Sequence, residues 1–187
     1  MTDELRWRLG ARQPGHDYKI FRTHFVDGAH ASGRAIRFSL IECPDWVNII
    51  ALTRDDHVVV VRQFRPGTNA VCLEIPGGMV DPGEEPAEAA ARELLEETGY
   101  TARTWRMLGS VAPNPAIMNN YLYSYLALDA ERTHPQALEG NEVLAVDTIP
   151  LSEIRTLLRT GKIDHALVMA AFAHLAFELG ELRRPAT

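Results

Sequence analysis

Residues 78–100 read GMVDPGEEPAEAAARELLEETGY, and this run decides how the whole chain is interpreted. Its second half predicts an α-helix in which Glu93, Glu96 and Glu97 stand three and four residues apart, and so lie on one face. Like charges this close repel, and a hard divalent cation such as Mg²⁺ prefers carboxylate oxygen. The face therefore predicts a metal site. The residues expected to point the other way and be buried are Ala91, Leu94, Leu95 and Thr98.

A glutamate-rich helical face has a simpler interpretation, since most such faces are only solvated. The segment before the helix argues against it here. Glu74-Ile75-Pro76-Gly77-Gly78 follows a β-rich run, and Asp81-Pro82-Gly83-Glu84 turns the chain into the helix. Glycines allow a ligand to approach the backbone closely. A strand, a glycine loop and a carboxylate-bearing helix together predict a site.

The same residues resemble a known family motif. Gly78, Glu84, Arg92-Glu93-Leu94, Glu96-Glu97 and Gly99-Tyr100 match the Nudix box at every defined position. The resemblance implies an α/β/α sandwich with a mixed sheet and an N-terminal β-hairpin. It also implies a Mg²⁺-dependent hydrolase, with Mn²⁺ as a substitute, acting on a nucleoside diphosphate linked to another group.

The resemblance also implies roles for individual residues. Glu93, Glu96, Glu97 and the carbonyl oxygen of Gly77 would be metal ligands, with Glu97 also counted as catalytic. Arg92 would orient the glutamates by an ion pair. Glu84 would support the loop or an additional metal.

Length and composition fit one catalytic domain of ordinary globular character. The 187 residues are 46% hydrophobic and 24% charged, with a net charge of −6. That charge argues against general nucleic-acid binding, which needs a basic surface, but a bound metal still permits an anionic substrate. No signal peptide or membrane-spanning stretch is recognisable, so we expect a cytoplasmic protein without a membrane partner.

Hydrophobic periodicity predicts an α/β chain without repeats. Expected strands are Tyr18–Val26, Arg34–Glu42, Trp46–Thr53, His57–Phe64, Val71–Ile75, Trp105–Val111, Tyr121–Leu128 and Glu142–Ile149, and expected helices are Glu85–Thr98, Leu151–Thr160 and Asp164–Leu182. The first two strands predict a hairpin. We expect a hairpin region at residues 1–43 and a hydrolase domain at residues 44–187.

The flanks of the box resemble the ADP-ribose pyrophosphatase subgroup. Val61–Pro66, Cys72–Gly78 and Pro115 match that subgroup's pattern. The resemblance implies hydrolysis of ADP-ribose or a related nucleoside diphosphate sugar. It also implies a homodimer in which the N-terminal hairpin lies at the interface.

The reaction needs a base besides the metal ligands. In the subgroup a glutamate of a loop late in the chain often serves as this base. The matching position here is Glu142, and Glu139 on the same acidic loop is the alternative. The simpler interpretation is a solvated surface loop, because a base is identified by geometry first.

Substrate contacts are predicted in several places. Arg65 suits a phosphate or a terminal ribose, although an ion pair at a dimer interface is the alternative. Aromatic side chains of the hairpin are candidates for stacking on adenine, although an aromatic on a strand is more often core. The segment 112–121 departs from the subgroup pattern, and its amides could bind substrate or cap a turn. The remaining candidate contacts are Tyr18, Phe38, Glu74, Met118 and Asn120.

Three functions therefore remain open. The first is hydrolysis of a nucleoside diphosphate sugar, favouring ADP-ribose. The second is a Nudix reaction on a dinucleoside polyphosphate, a nucleoside triphosphate or a capped RNA end. The third is a non-catalytic nucleotide-sugar sensor, which the complete set of box carboxylates disfavours.

Overall fold

The computed structural model describes residues 3–138, 140 and 142–180. The first element is a short 3-10 helix, Asp3–Leu5. The strands are β1 Trp7–Asp17, β2 Arg22–His30, β3 Ala35–Glu42, β4 Trp46–Leu52, β5 His57–Arg65, β6 Ala70–Glu74, β7 Gly77–Met79, β8 Tyr100–Thr101, β9 Thr104–Val111, β10 Leu122–Leu128, β11 Glu131–Arg132 and β12 Leu144–Pro150. The helices are α1 Pro86–Thr98, α2 Leu151–Arg159 and α3 Ala166–Glu178.

The chain divides into two compact units. The first comprises Met1–Pro44 with Ala112–Tyr121, and the second comprises Asp45–Val111 with Leu122–Thr187. The second unit contains a mixed sheet in the order β12-β5-β4-β10-β9, with β6 paired to β5 and β7 paired to β4. Strands β4 and β10 run parallel, and β12 and β5 run antiparallel.

Neighbouring residues of each central strand supply two different cores. Ile50 and Val60 pack with residues of α2 and α3, whereas Ile49 and Val59 pack with the apolar residues of α1. This alternation follows from the two-residue period of a strand buried on both faces. The second unit is therefore an α/β/α sandwich, as expected from the sequence.

Helix α1 begins and ends at residues suited to those positions. Pro86 occupies its start, and the Glu88 carboxylate accepts a hydrogen bond from the Glu85 N–H at 3.2 Å. Gly99 ends the helix with φ of 74° and donates its N–H to the Leu95 carbonyl. A residue without a Cβ adopts this left-handed conformation at no steric cost. The predicted helix Glu85–Thr98 is thus confirmed almost to the residue.

The first unit contains an antiparallel sheet in the order β1-β2-β3. The predicted hairpin is present as β2 and β3, but its first strand begins at Arg22, and Tyr18 precedes it in a turn. Strand β1 was not predicted. Pro14 and two glycines interrupt its alternation, and it lies at a sheet edge with two register shifts, where proline is tolerated.

The segment 112–121 joins the first unit through backbone and amide contacts. The Ile41 N–H donates to the Ile117 carbonyl at 2.7 Å. The Asn119 side chain accepts from the Cys43 N–H at 3.2 Å, and the Asn120 amide donates to the Pro44 carbonyl at 3.0 Å. Both amides therefore hold the chain that follows β3.

The remaining predicted strands and helices each have an observed counterpart. The last helix is shorter than predicted: it spans Ala166–Glu178, and Leu182, where we expected it to end, lies outside the described residues. Among the helices that the structure describes, none has the length and apolar character needed to cross a membrane.

Candidate active site

A glycine pair brings β7 against its neighbours more closely than any other residue would allow. Gly77 lies opposite Asn48 of β4, and a Cβ at Gly77 would collide with the Val47 carbonyl oxygen. A Cβ at Gly78 would collide with the Glu93 carboxylate. Gly77 therefore requires glycine, because backbone atoms block a Cβ there, and Gly78 places the backbone directly beside a box carboxylate.

Arg92 connects the carboxylates of α1 with the loop that precedes the helix. Its Nε and Nη2 donate to the two oxygens of Glu84, each at 2.9 Å. Its Nη1 donates to Glu93 at 3.0 Å and to Glu96 at 3.1 Å, and Nη2 also donates to the Met79 carbonyl. The paired hydrogen bond with Arg92 lowers the pKa of Glu84. One guanidinium thus fixes three carboxylates at once.

Glu97 differs from its two partners because it is buried. Glu97 is only 5% exposed. One of its carboxylate oxygens accepts a hydrogen bond from the Gly77 N–H at 2.9 Å. Burial raises its pKa to about 8, opposed by the Gly77 hydrogen bond and assisted by repulsion from Glu93 and Glu142. A carboxylate in this state is strongly stabilised by any added positive charge.

Glu93 shows the same tendency. Burial raises its pKa, the ion pair with Arg92 opposes this, and repulsion from Glu96 and Glu142 adds to it. The charge of Glu142 therefore adds to the negative potential at both carboxylates. The cluster therefore concentrates negative charge that Arg92 alone balances incompletely.

The predicted burial of α1 is partly wrong. Glu97 is buried, Ala91 is exposed and Leu95 is half-buried, whereas Leu94 and Thr98 are buried as expected. The buried stripe runs through Ala90, Leu94, Glu97 and Thr98, which recur at the helical period. Glu97 joins this stripe because the Gly77 N–H satisfies its carboxylate.

Comparison with known proteins identifies the fold and the box. A model of the NUDIX domain matches residues 44–172, well over half of the chain. This chain belongs to the Nudix family. An ADP-ribose pyrophosphatase of Bacillus subtilis (strain 168) is 27% identical over 158 residues, which cover 84% of this chain and 85% of that protein.

Two further Nudix comparisons agree. The ADP-sugar pyrophosphatase of Mus musculus is 34% identical over 123 residues, covering 61% of this chain and 56% of the mouse protein. A solved structure of an ADP compounds hydrolase matches with a TM-score of 0.81 at 25% identity, covering 94% of this chain and 95% of that one. The chain is therefore a Nudix pyrophosphatase, resembling the ADP-ribose pyrophosphatase subgroup.

Nudix hydrolases generally use divalent metal ions, and the donor set here suits one. Glu93, Glu96 and Glu97 supply hard oxygen, and each keeps one oxygen that accepts no hydrogen bond from the described residues. Within that same part of the chain, no group of three or more His, Cys, Asp or Glu side chains is arranged to hold an ion as it stands. Arg92 binds one oxygen each of Glu93 and Glu96.

Arg65 is committed to an ion pair within its own chain. Its Nε and Nη2 donate to the two oxygens of Glu74 at 2.8 and 2.7 Å, and these bonds raise the pKa of Arg65. Glu74 is only 3% exposed, and His165 Nε2 lies 3.9 Å from its second oxygen. The positive charge of Arg65 also lowers the pKa of Glu97.

The other predicted substrate contacts belong to the first unit. Tyr18 is half exposed and stacks on Phe21, with ring centroids 4.8 Å apart. Phe38 packs edge-on against Trp7 at 5.6 Å. Met118 is paired with Ile41, and Asn120 is 2% exposed.

The two candidate bases differ in what the structure says of them. Glu142 is exposed, precedes β12 by two residues, and raises the pKa of Glu93 and Glu97 by charge repulsion. Glu139 lies outside the described residues. Of the two candidate bases, the structure therefore describes the surroundings of Glu142 only.

Proposed function

We propose that this protein hydrolyses the pyrophosphate bond of ADP-ribose or a related nucleoside diphosphate sugar, with Mg²⁺ as the metal. The observation that carries the proposal is the cluster formed by Glu93, Glu96 and the buried Glu97 around Arg92 and the Gly77–Gly78 backbone. The names of the relatives, which refer to ADP-ribose, ADP-sugars and ADP compounds, support the substrate class.

The metal would be held by Glu93, Glu96 and Glu97, with the Gly77 carbonyl as a further ligand. A bound Mg²⁺ would activate water and stabilise the charge that develops on the phosphoryl oxygens. Glu93 and Glu96 would offer the oxygens that Arg92 does not bind. Glu97 offers its second oxygen while the first stays on the Gly77 N–H.

The reaction adds one water across the P–O–P bridge. The water oxygen forms a bond to one phosphorus, and the bond from that phosphorus to the bridging oxygen breaks. For ADP-ribose the products are AMP and ribose 5-phosphate. We assign Glu142 as the base that accepts the water proton, because it is exposed and its charge acts on both Glu93 and Glu97.

The test is a panel of substrates at equal concentration with Mg²⁺. It compares ADP-ribose, other nucleoside diphosphate sugars, a dinucleoside polyphosphate, a nucleoside triphosphate and a capped RNA, with each product identified by mass. Hydrolysis in ¹⁸O-labelled water then shows which phosphorus was attacked, because the label appears in only one product. Preferential turnover of the triphosphate or the capped RNA would overturn the proposed substrate class.

A matched pair of variants separates site chemistry from general damage. Glu97→Gln should lower kcat by at least about a hundredfold, because it removes a charged ligand. Glu153→Gln changes an exposed glutamate of α2 and should leave kcat within about twofold. Equal rates for both variants and the native protein would rule out the metal assignment.

We further propose that residues 44–187 are the catalytic domain and that the N-terminal region pairs two copies of the chain. The first unit supports this through exposed apolar side chains. Leu9 and Ile36 both lie opposite Gly28 in the register of β1-β2-β3, and they are 59% and 48% exposed. Since partners in one row share a face of the sheet, these two side chains form part of an apolar surface.

A further inference from the structure

The C-terminal end of α1 is closed by a distant stretch of chain. The last carbonyls of a helix have no partner within it, and most are satisfied by water or by a cap. Here the Ala137 N–H donates to the Glu96 carbonyl at 2.9 Å. The Gln136 side-chain amide donates to the Glu97 carbonyl at 2.7 Å. The backbones of two box glutamates are thus held by adjacent residues.

The same stretch also binds the residue that ends the helix. The N–H groups of Thr133 and His134 donate to the Gly99 carbonyl at 3.0 and 3.1 Å. A Cβ at Gly99 would collide with the His134 carbonyl oxygen. Residues 133–137 therefore pack closely against the end of α1, and this packing requires a glycine at position 99.

Residues 133–137 are all described by the structure, and among them only Gln136 uses its side chain to donate a hydrogen bond to a carbonyl of α1. It is half-buried, whereas Thr133, His134 and Ala137 are exposed and donate to these carbonyls through their backbones. A donor at a helix C-terminus also interacts favourably with the negative end of the helix dipole. The bond is therefore both sheltered and electrostatically favourable.

The chain that leaves this contact leads to Glu142. Glu142 is the sixth residue after Gln136, and β12 then begins at Leu144, which pairs with Gln63 of β5. The charge of Glu142 raises the pKa of Glu97, and the backbone carbonyl of Glu97 accepts the Gln136 hydrogen bond. Both ends of the approach to Glu142 are thus fixed to elements that carry the site.

We propose that Gln136 is a positioning residue for the hydrolytic reaction, which holds the chain before Glu142 against the C-terminal turn of α1. The proposal rests on the proposed function, because it acts through Glu142 as the base. Gln136 itself need not touch the substrate. Its loss would leave the metal ligands in place and let Glu142 move from its position, and misplacement by about 1 Å can lower a rate about a hundredfold.

Three variants test the donor specifically. Gln136→Met keeps the length of the side chain and removes its donor, and we expect kcat to fall about ten- to a hundredfold with KM within about twofold. Gln136→Lys restores a donor that the helix end favours, and it should recover most of the lost rate. Gln13→Met is the matched control, since Gln13 is exposed on β1. Equal rates for Gln136→Met and the native protein would overturn the proposal.

A double-mutant cycle separates this proposal from the proposed function. Glu142→Gln should lower kcat by about a hundredfold or more, and adding Gln136→Met to it should cost less than about twofold further. A full further loss in the double variant would show that Gln136 acts elsewhere and would overturn the proposal. If Glu142→Gln alone keeps the native rate, the assignment of the base is what fails, and the role of Gln136 fails with it.

Hydrogen exchange gives a readout that does not depend on turnover. Gln136→Met should speed amide exchange in peptides covering residues 133–142 and leave peptides from β2 and β3 unchanged. The melting temperature should fall by only about 2–4 °C, as expected for one hydrogen bond in a chain of this size. Unchanged exchange at residues 133–142 would contradict the proposal even if no substrate were turned over.

Discussion

Glu84 and Arg92 face each other through two parallel hydrogen bonds, each 2.9 Å long. Glu84 lies on the turn before α1, and Arg92 lies two turns into the helix, so the pair fastens the loop to the helix. The same guanidinium binds Glu93 and Glu96. The pair therefore sets the direction of two box carboxylates before any ion arrives.

The first prediction concerns the shape of this guanidinium. Arg92→Lys keeps the charge but loses the planar fork, so Glu84, Glu93 and Glu96 can no longer all be held. We expect kcat/KM to fall about ten- to a hundredfold, measured by initial rates over a range of substrate concentrations. The matched control is Arg37→Lys, which breaks the same paired geometry with Asp27 on an exposed surface. A similar loss of rate in both variants would contradict the prediction.

The second prediction concerns Gly78. Gly78→Ala places a Cβ against the Glu93 carboxylate, which must then move from the site. We expect the Mg²⁺ concentration needed for half-maximal activity to rise about tenfold or more, because a ligand is displaced. Gly67→Ala is the control, since no atom lies within 4 Å of a Cβ built there. The prediction is wrong if the two alanine variants have the same metal dependence.

The third prediction is the pH dependence of stability without metal. The folded pKa of Glu97 is raised from 4.5 to about 8, so the folded protein binds this proton more tightly than the unfolded chain. The contribution of Glu97 to stability is then greatest below about pH 4.5 and is lost as the pH rises towards 8. Glu97→Gln carries no such proton and keeps an oxygen for the Gly77 N–H.

Thermal melts in EDTA between pH 5 and pH 9 test this sign. At about pH 8 and above, the metal-free Glu97→Gln protein should melt several degrees higher than the native protein, on the scale of about 2–4 °C per kcal/mol. The difference should shrink as the pH falls. A constant difference across the range would show that Glu97 has an ordinary pKa.

The fourth prediction tests the pairing of chains. Leu9→Lys and Ile36→Lys place charges in the exposed apolar row of the first unit, and a homodimer that uses this face should dissociate. Light scattering after size-exclusion chromatography measures the mass directly. Val71→Lys is the control, because Val71 is 68% exposed on β6 of the second unit. A dimer that survives both β1 and β3 substitutions would place the interface elsewhere.

Hydrophobic periodicity and capping residues predicted those parts of the fold in which the sequence shows a clear helical or strand pattern. Helix α1 was predicted within one residue of its start, because proline, a capping glutamate and a final glycine mark its ends. Six of the seven strands of the central sheet were predicted, and β7 was missed because Gly77–Met79 belongs to the segment interpreted as a glycine loop. Strand β1 was missed because glycine and proline hide its alternation.

The sequence predicted which residues form the site but not how they are arranged in space. The box spacing named Glu93, Glu96 and Glu97, but helical periodicity treats all three alike. The approach of β7 gives Glu97 its Gly77 N–H partner, and that approach depends on the pairing of β7 with β4, which lies far from the helix in sequence. The partners of Arg65 and Gln136 were missed for the same reason, since neither pairing has a periodic signal.

The connection between β9 and β10 has a consequence for how this protein could be divided or rebuilt. The chain leaves the second unit after Val111, contributes residues 112–121 to the first, and returns at Leu122. A chain lacking the first 44 residues would keep Asn119 and Asn120 without the Cys43 and Pro44 groups that they bind. The first unit therefore cannot be exchanged between proteins by joining two chains at a single point. Recombination between relatives would have to carry the β9–β10 connection along with it.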